Sequence, residues 1–246
     1  MAAIGYAAAP VPVRDDLPAA HGRAWEQLAR PGRYLSGAQR VAAAAEVRAA
    51  WSCSLCRERK QALSPAALNG THEGPGQLPK AMVDAIHRIT TDPGRLSRRW
   101  FDGIREAGVS DGQYVELVGV VVTIVSVDQF CRGLGVASHP LPAPQDGEPS
   151  GVRPQGLCDG GAWVPMLDPR RCGPDESDLY PGGRTGNVLR ALSLAPDEVR
   201  NLKQLSAAHY MGPEEMADLA RGTAALDRAQ VELVAARVSA LRECFY

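Results

Sequence analysis

The chain has 246 residues, 45% of them hydrophobic and 5% aromatic, with a formal net charge of -1. That length buries a sizeable core in one or two domains, and the mixed charges carry no basic excess that would suit a nucleic acid. Six cysteines without a secretion signal do not form the disulfide framework of a small secreted protein.

Residues 1–20 read as a flexible tail, because their apolar stretch is broken by prolines and has no basic segment ahead of it. No signal peptide is read, so a cytoplasmic location is expected. From about His21 the pattern turns helical. The stretch from Ser36 to Ala50 is rich in alanine and predicts a helix. The next segment, WSCSLCRERKQAL, predicts a new helix capped by Ser52, with Cys53 in its first turn. Met82, Ile86 and Ile89 recur at helical spacing behind Pro79, and a further helix ends at Gly108.

Residues 110–135 carry a long β-branched run that competes between strand and helix. Ser110 or Asp111 at one end and Gly133 or Gly135 at the other predict a buried helix. Glu116 and Asp128 interrupt the run, so no membrane span is expected. Residues 141–186 read as a Pro/Gly-rich connection, anchored at Trp163, Val164 and Pro165. Helices resume from 187, with Ser193 as a cap candidate, then a segment opening near Pro213, then a last helix from Leu226. The class is all-α, with a first module over 21–140 and an incomplete second one over 187–246.

An internal repeat links the two ends. A shift of 191 positions places Leu226 on Leu35, Gln230 on Gln39, Val238 on Val47 and Cys244 on Cys53 in one register. In the first copy Cys53 and Cys56 form C-x-x-C, one helical turn apart, the spacing at which one thiolate attacks and the other resolves. A metal pair is the competing reading of these two cysteines, but Cys158 and Cys172 lack the spacing to complete it. Redox chemistry is therefore favoured, with no metal and no cofactor. Cys131 reads as an inert core thiol. His87 and His209 read as satisfied surface or boundary histidines, His87 being the better placed to assist Cys53. Glu46, Arg57 and Lys60 are candidate aids to the thiols.

These motifs resemble the alkylhydroperoxidase D and carboxymuconolactone decarboxylase family. Its motif is a glutamate twelve residues before C-x-x-C and a histidine four after it. Glu232 stands twelve before Cys244, whereas Val41 and Lys60 occupy the corresponding places around the first motif. The resemblance implies a repeated helical module and a thiol-dependent hydroperoxide or disulfide reductase. It assigns Cys53, Cys56, Glu232 and Cys244 to catalysis, Cys56 as attacking thiol, with a thiol electron donor and homo-oligomeric assembly. It also offers a stop-read selenocysteine codon after Tyr246 as one candidate expectation, beside ordinary truncation, a frameshift and a genuine end. A non-redox oligomerisation scaffold and a lactone decarboxylase-like enzyme are the alternatives.

Overall fold

The computed structural model describes residues 4–223, 225–241 and 244. Among these the chain forms ten α-helices: α1 (Asp16–Ala29), α2 (Gly37–Ala50), α3 (Ser54–Gln61), α4 (Lys80–Thr91), α5 (Arg98–Glu106), α6 (Asp111–Gly133), α7 (Asn187–Arg190), α8 (Pro196–His209), α9 (Pro213–Ala217) and α10 (Arg228–Leu241). A two-stranded antiparallel hairpin, β1 (Leu157–Cys158) with β2 (Met166–Leu167), is the regular strand structure among the described residues. The all-α class stands.

The β-branched run of residues 110–135 is a helix because its ends are set locally. Ser110 accepts from the Gln113 N–H while the Gln113 side chain accepts from Ser110 N–H, a reciprocal cap that satisfies two orphan groups. The helix is long and apolar enough to cross a membrane, but α1, α2, α4 and α8 surround it. Leu117, Val120 and Ile124 on α6 meet Val47 of α2, Ile86 of α4 and Leu205 of α8 in one core. Three small buried residues, Ala42, Ala43 and Ala44, face this core from α2.

The module boundaries differ from the expected ones. Helix α8 packs on α1 and α6, and Leu205 lies in the main core, so the bundle draws on residues well beyond 140. The Pro/Gly-rich connection is folded onto the bundle: Val164, Leu167, Leu179 and Tyr180 bury themselves against Phe101 and Val115. Trp163 stacks near Phe101, as its anchoring role requires. Ser193 does not cap α8. It is buried and accepts from the Leu167 N–H, fastening β2 to the helix start, while Pro196 opens α8.

The segment expected to be a loose tail is also tied down where it is described. Helix α1 starts at Asp16, and Tyr6 packs edge-on against Phe130 and His139. The Tyr6 hydroxyl donates to His21 Nδ1, and His21 donates its Nε2–H to His209 Nε2 at 2.6 Å. Burial, reinforced by His209 and His139, pushes the His21 pKa down to about 4. His21 is fully buried and neutral in the folded chain but takes a proton below its ordinary pKa of 6.5 when unfolded. Stability is thus complete above pH ~6.5 and is lost as pH falls towards 4, by about 2 kcal/mol at pH 5. Thermal melts near neutrality and near pH 5 should differ by roughly 4–8 °C, and His21→Gln should narrow that gap. Equal melting temperatures in the parent chain would remove the buried-histidine account.

Helix α10 begins and ends 191 positions after α2. Its start repeats the reciprocal cap of α2: Asp227 and Gln230 exchange the hydrogen bonds that Ser36 and Gln39 exchange. Unlike α2, α10 leaves Leu233, Val234, Val238 and Leu241 exposed.

Candidate functional site

The chain breaks helix after α2 at Trp51 and re-enters it at Ser54, so Cys53 is the N-cap of α3 and lies ahead of the first turn in which it was expected. Ser52 caps nothing there. Glu73, from the loop between α3 and α4, supplies the missing cap: its carboxylate accepts from the Ser54 hydroxyl at 2.5 Å and from the Ser54 N–H at 3.3 Å. A carboxylate at a helix N-terminus offsets the positive end of the dipole. Cys56 follows within the first turn, and both thiols are buried.

That cap positions His72, the residue before Glu73. His72 Nδ1 lies 3.6 Å from Cys53 Sγ and 3.5 Å from Cys56 Sγ. Its Nε2–H donates to Asp84 Oδ1 at 3.0 Å, and Asp84 also accepts from Arg59 at 2.7 Å and from the Trp100 indole at 2.8 Å. From the other side, His87 on α4 presents Nδ1 to Cys56 Sγ at 3.3 Å and donates Nε2–H to Glu46 at 3.0 Å. The second Glu46 oxygen accepts the Gly76 N–H at 2.8 Å. Gly76 has φ +68°, a left-handed turn that suits glycine. Glu46 therefore orients His87 and closes the loop that carries His72.

The electrostatics follow from this frame. Burial lowers the His87 pKa, although hydrogen bonding to Glu46 works the other way, so its neutral ring accepts from the Cys56 thiol. Burial also opposes charge on His72, but hydrogen bonds to Asp84 and to both thiols outweigh it and raise the pKa to about 10. Cys53 is lowered despite burial, by the N–H groups of Cys56 and Glu73 and by His72. A thiol beside a histidine that is itself held by a carboxylate has the parts of an activated nucleophile.

An apolar cleft of about 970 Å³ opens beside the two thiols. Val121 and Val125 of α6, Ile89 of α4 and Val238 of α10 line it. A smaller cleft of about 400 Å³, over Arg40 and Glu116, is lined largely by charged side chains and includes no cysteine or histidine.

The expected catalytic residues separate into two groups. Cys53 and Cys56 meet in the cluster. Glu232 turns instead to Arg228 at 2.7 Å on α10, and Cys244 is exposed. Phe245 and Tyr246 lie outside the described residues. Arg57 and Lys60 are not among the thiols' polar partners; Lys60 pairs with Asp92 at 3.6 Å. His87 is fully buried rather than a surface or boundary residue, whereas His209 is exposed, as expected. Cys158 and Cys172 stay apart from the C-x-x-C pair, each bonding to nearby backbone carbonyls, and Cys131 is fully buried with its pKa raised by burial.

His72, Glu73 and Asp84 were not foreseen. A signal was present: fifteen residues separate Cys56 from His72 and fourteen separate His72 from His87, an ordered Cys-Cys-His-His series. No family model matches the chain, and no curated protein or solved structure matches it significantly.

Proposed function

We propose that the chain is a dithiol reductase of organic hydroperoxides, of the alkylhydroperoxidase D type, acting through Cys53 and Cys56. The observation that carries this reading is Cys56 held against His87, with Glu46 behind the imidazole and Cys53 alongside, at the wall of an apolar cleft. The matching bounds and caps of α2 and α10 support the accompanying view of the chain as two copies of one helical module.

His87 takes the Cys56 proton, and the thiolate attacks the distal oxygen of the hydroperoxide. The O–O bond breaks, Cys56 becomes a sulfenic acid, and the alkoxide leaves as the alcohol with the proton returned by His87. The Cys53 thiolate then attacks the Cys56 sulfur, and hydroxide leaves as water with a proton from His72. The products are one disulfide, one alcohol and one water. Two electrons and two protons from a thiol donor restore the pair. The apolar cleft favours organic hydroperoxides over hydrogen peroxide.

Treating the reduced chain with cumene hydroperoxide, then alkylating and mapping by mass spectrometry, should show a Cys53–Cys56 disulfide formed as hydroperoxide disappears. Cys131, Cys158, Cys172 and Cys244 serve as internal comparisons. If Cys53 and Cys56 both stay free under excess hydroperoxide, the reading fails.

A further inference from the structure

A dithiol needs one proton acceptor to ionise its attacking sulfur. Here two imidazoles are aimed at the sulfurs, each through Nδ1 and each with Nε2–H given to its own carboxylate, Asp84 for His72 and Glu46 for His87. It is the arrangement by which proteins fix histidines as metal ligands, where a carboxylate sets the tautomer and raises ligand basicity.

The distances agree. Zinc bonds of ~2.3 Å to sulfur and ~2.0–2.1 Å to nitrogen, at tetrahedral angles, imply S···N edges of about 3.6 Å. The three sulfur–nitrogen contacts are 3.6, 3.5 and 3.3 Å. All four donor atoms lie within 4.8 Å of one another, so closure around an ion needs a contraction on the order of 1 Å along the longest edges. The donors are also shielded: Cys53 is 1% exposed, Cys56 3% and His87 0%. Two thiolates and two imidazoles in a tetrahedral set suit zinc over magnesium or calcium, which take oxygen ligands.

We propose that Cys53, Cys56, His72 and His87 hold one zinc ion in the reduced chain, and that oxidation of the two cysteines by a hydroperoxide expels it. The binding half stands on the four side chains alone; the release half rests on the dithiol reading above. In the release step the two metal-bound thiolates give up two electrons and form the S–S bond. The hydroperoxide takes those electrons with two protons from solvent and leaves as alcohol and water, and Zn²⁺ departs because a disulfide is no longer an anionic ligand. The zinc form is then the reduced resting state, and hydroperoxide converts it directly to the metal-free disulfide form.

Cobalt(II) titration of the reduced full chain is the first test. One equivalent should produce thiolate-to-cobalt charge transfer and the intense d–d bands of a tetrahedral sulfur–nitrogen site, and zinc should bleach them. Asp84→Asn removes no ligand but should weaken zinc binding about 10–100-fold, read by competition with a chromophoric chelator. Cumene hydroperoxide added to the zinc form should release one zinc for each Cys53–Cys56 disulfide. A reduced chain without the tetrahedral cobalt spectrum, yet forming the disulfide, overturns the metal site and leaves the dithiol reading intact. A spectrum that survives in a folded Cys53→Ser/Cys56→Ser variant also overturns the site. Tight zinc that hydroperoxide neither releases nor oxidises overturns the switch and the dithiol reading together, and leaves a structural metal.

Discussion

Replacing Arg40 by methionine should destabilise the chain by about 3–5 kcal/mol, more than any surface substitution would. Arg40 is 3% exposed and lies between two buried carboxylates, Glu116 and Glu198, the latter at 2.7 Å. Burial raises the Glu116 pKa, Arg40 pulls it down, and Glu198 adds to the rise. Methionine would fill much of the space but leave two acidic groups facing each other without a cation. One must then be protonated or buried uncompensated. The backbone closes tightly here as well: a Cβ on Gly32 would stand 1.7 Å from a Glu116 oxygen. Chemical denaturation should show the midpoint falling without a change in slope. Adding Glu116→Gln and Glu198→Gln to the Arg40→Met chain should recover part of the loss, because the penalty belongs to the unpaired charges. A loss below about 1 kcal/mol for Arg40→Met would show that the cluster does not hold α2, α6 and α8 together.

His87→Gln should lower hydroperoxide turnover by about 100-fold or more, the range of a positioned general base. Glutamine can still donate to Glu46, so the Glu46–Gly76 link and the His72 loop should persist. The substituted chain should therefore melt close to the parent. What it lacks is a ring nitrogen at 3.3 Å from Cys56 Sγ to accept the thiol proton. A kcat reduced with little change in KM would place His87 in the chemical step; a changed KM with an unchanged kcat would place it in binding the substrate. Unaltered kinetics would remove His87 from the mechanism and leave His72 as the thiol's only imidazole partner in the cluster.

The features that the sequence alone determined are those decided within a few residues. Ser36 with Gln39, and Ser110 with Gln113, announce helix starts because a reciprocal cap needs only four consecutive residues. The β-branched run of α6 resolves as helix from its length and caps, and the C-x-x-C spacing fixes two thiols on one turn. The register between α2 and α10 is likewise written in the residues and reappears in their shared bounds and caps.

Tertiary structure decided the rest, because it brings together groups with no local relation. Cys56 and His87 are 31 positions apart, and Glu46 and His87 are 41 apart. No periodicity of helix or strand marks such pairs. His72 sits in a loop, where pattern is weakest, and its placement depends on Glu73 capping α3, Arg59 holding the Leu68 carbonyl and Glu46 closing the turn at Gly76. Helix α8, assigned by sequence to a second module, packs on α1 and α6, and its Leu205 lies in the same core as Leu117, Val120 and Ile124. Burial reverses the expected character of His87: desolvation and partner geometry, which a linear sequence does not display, decide whether an imidazole is a surface group or a buried base.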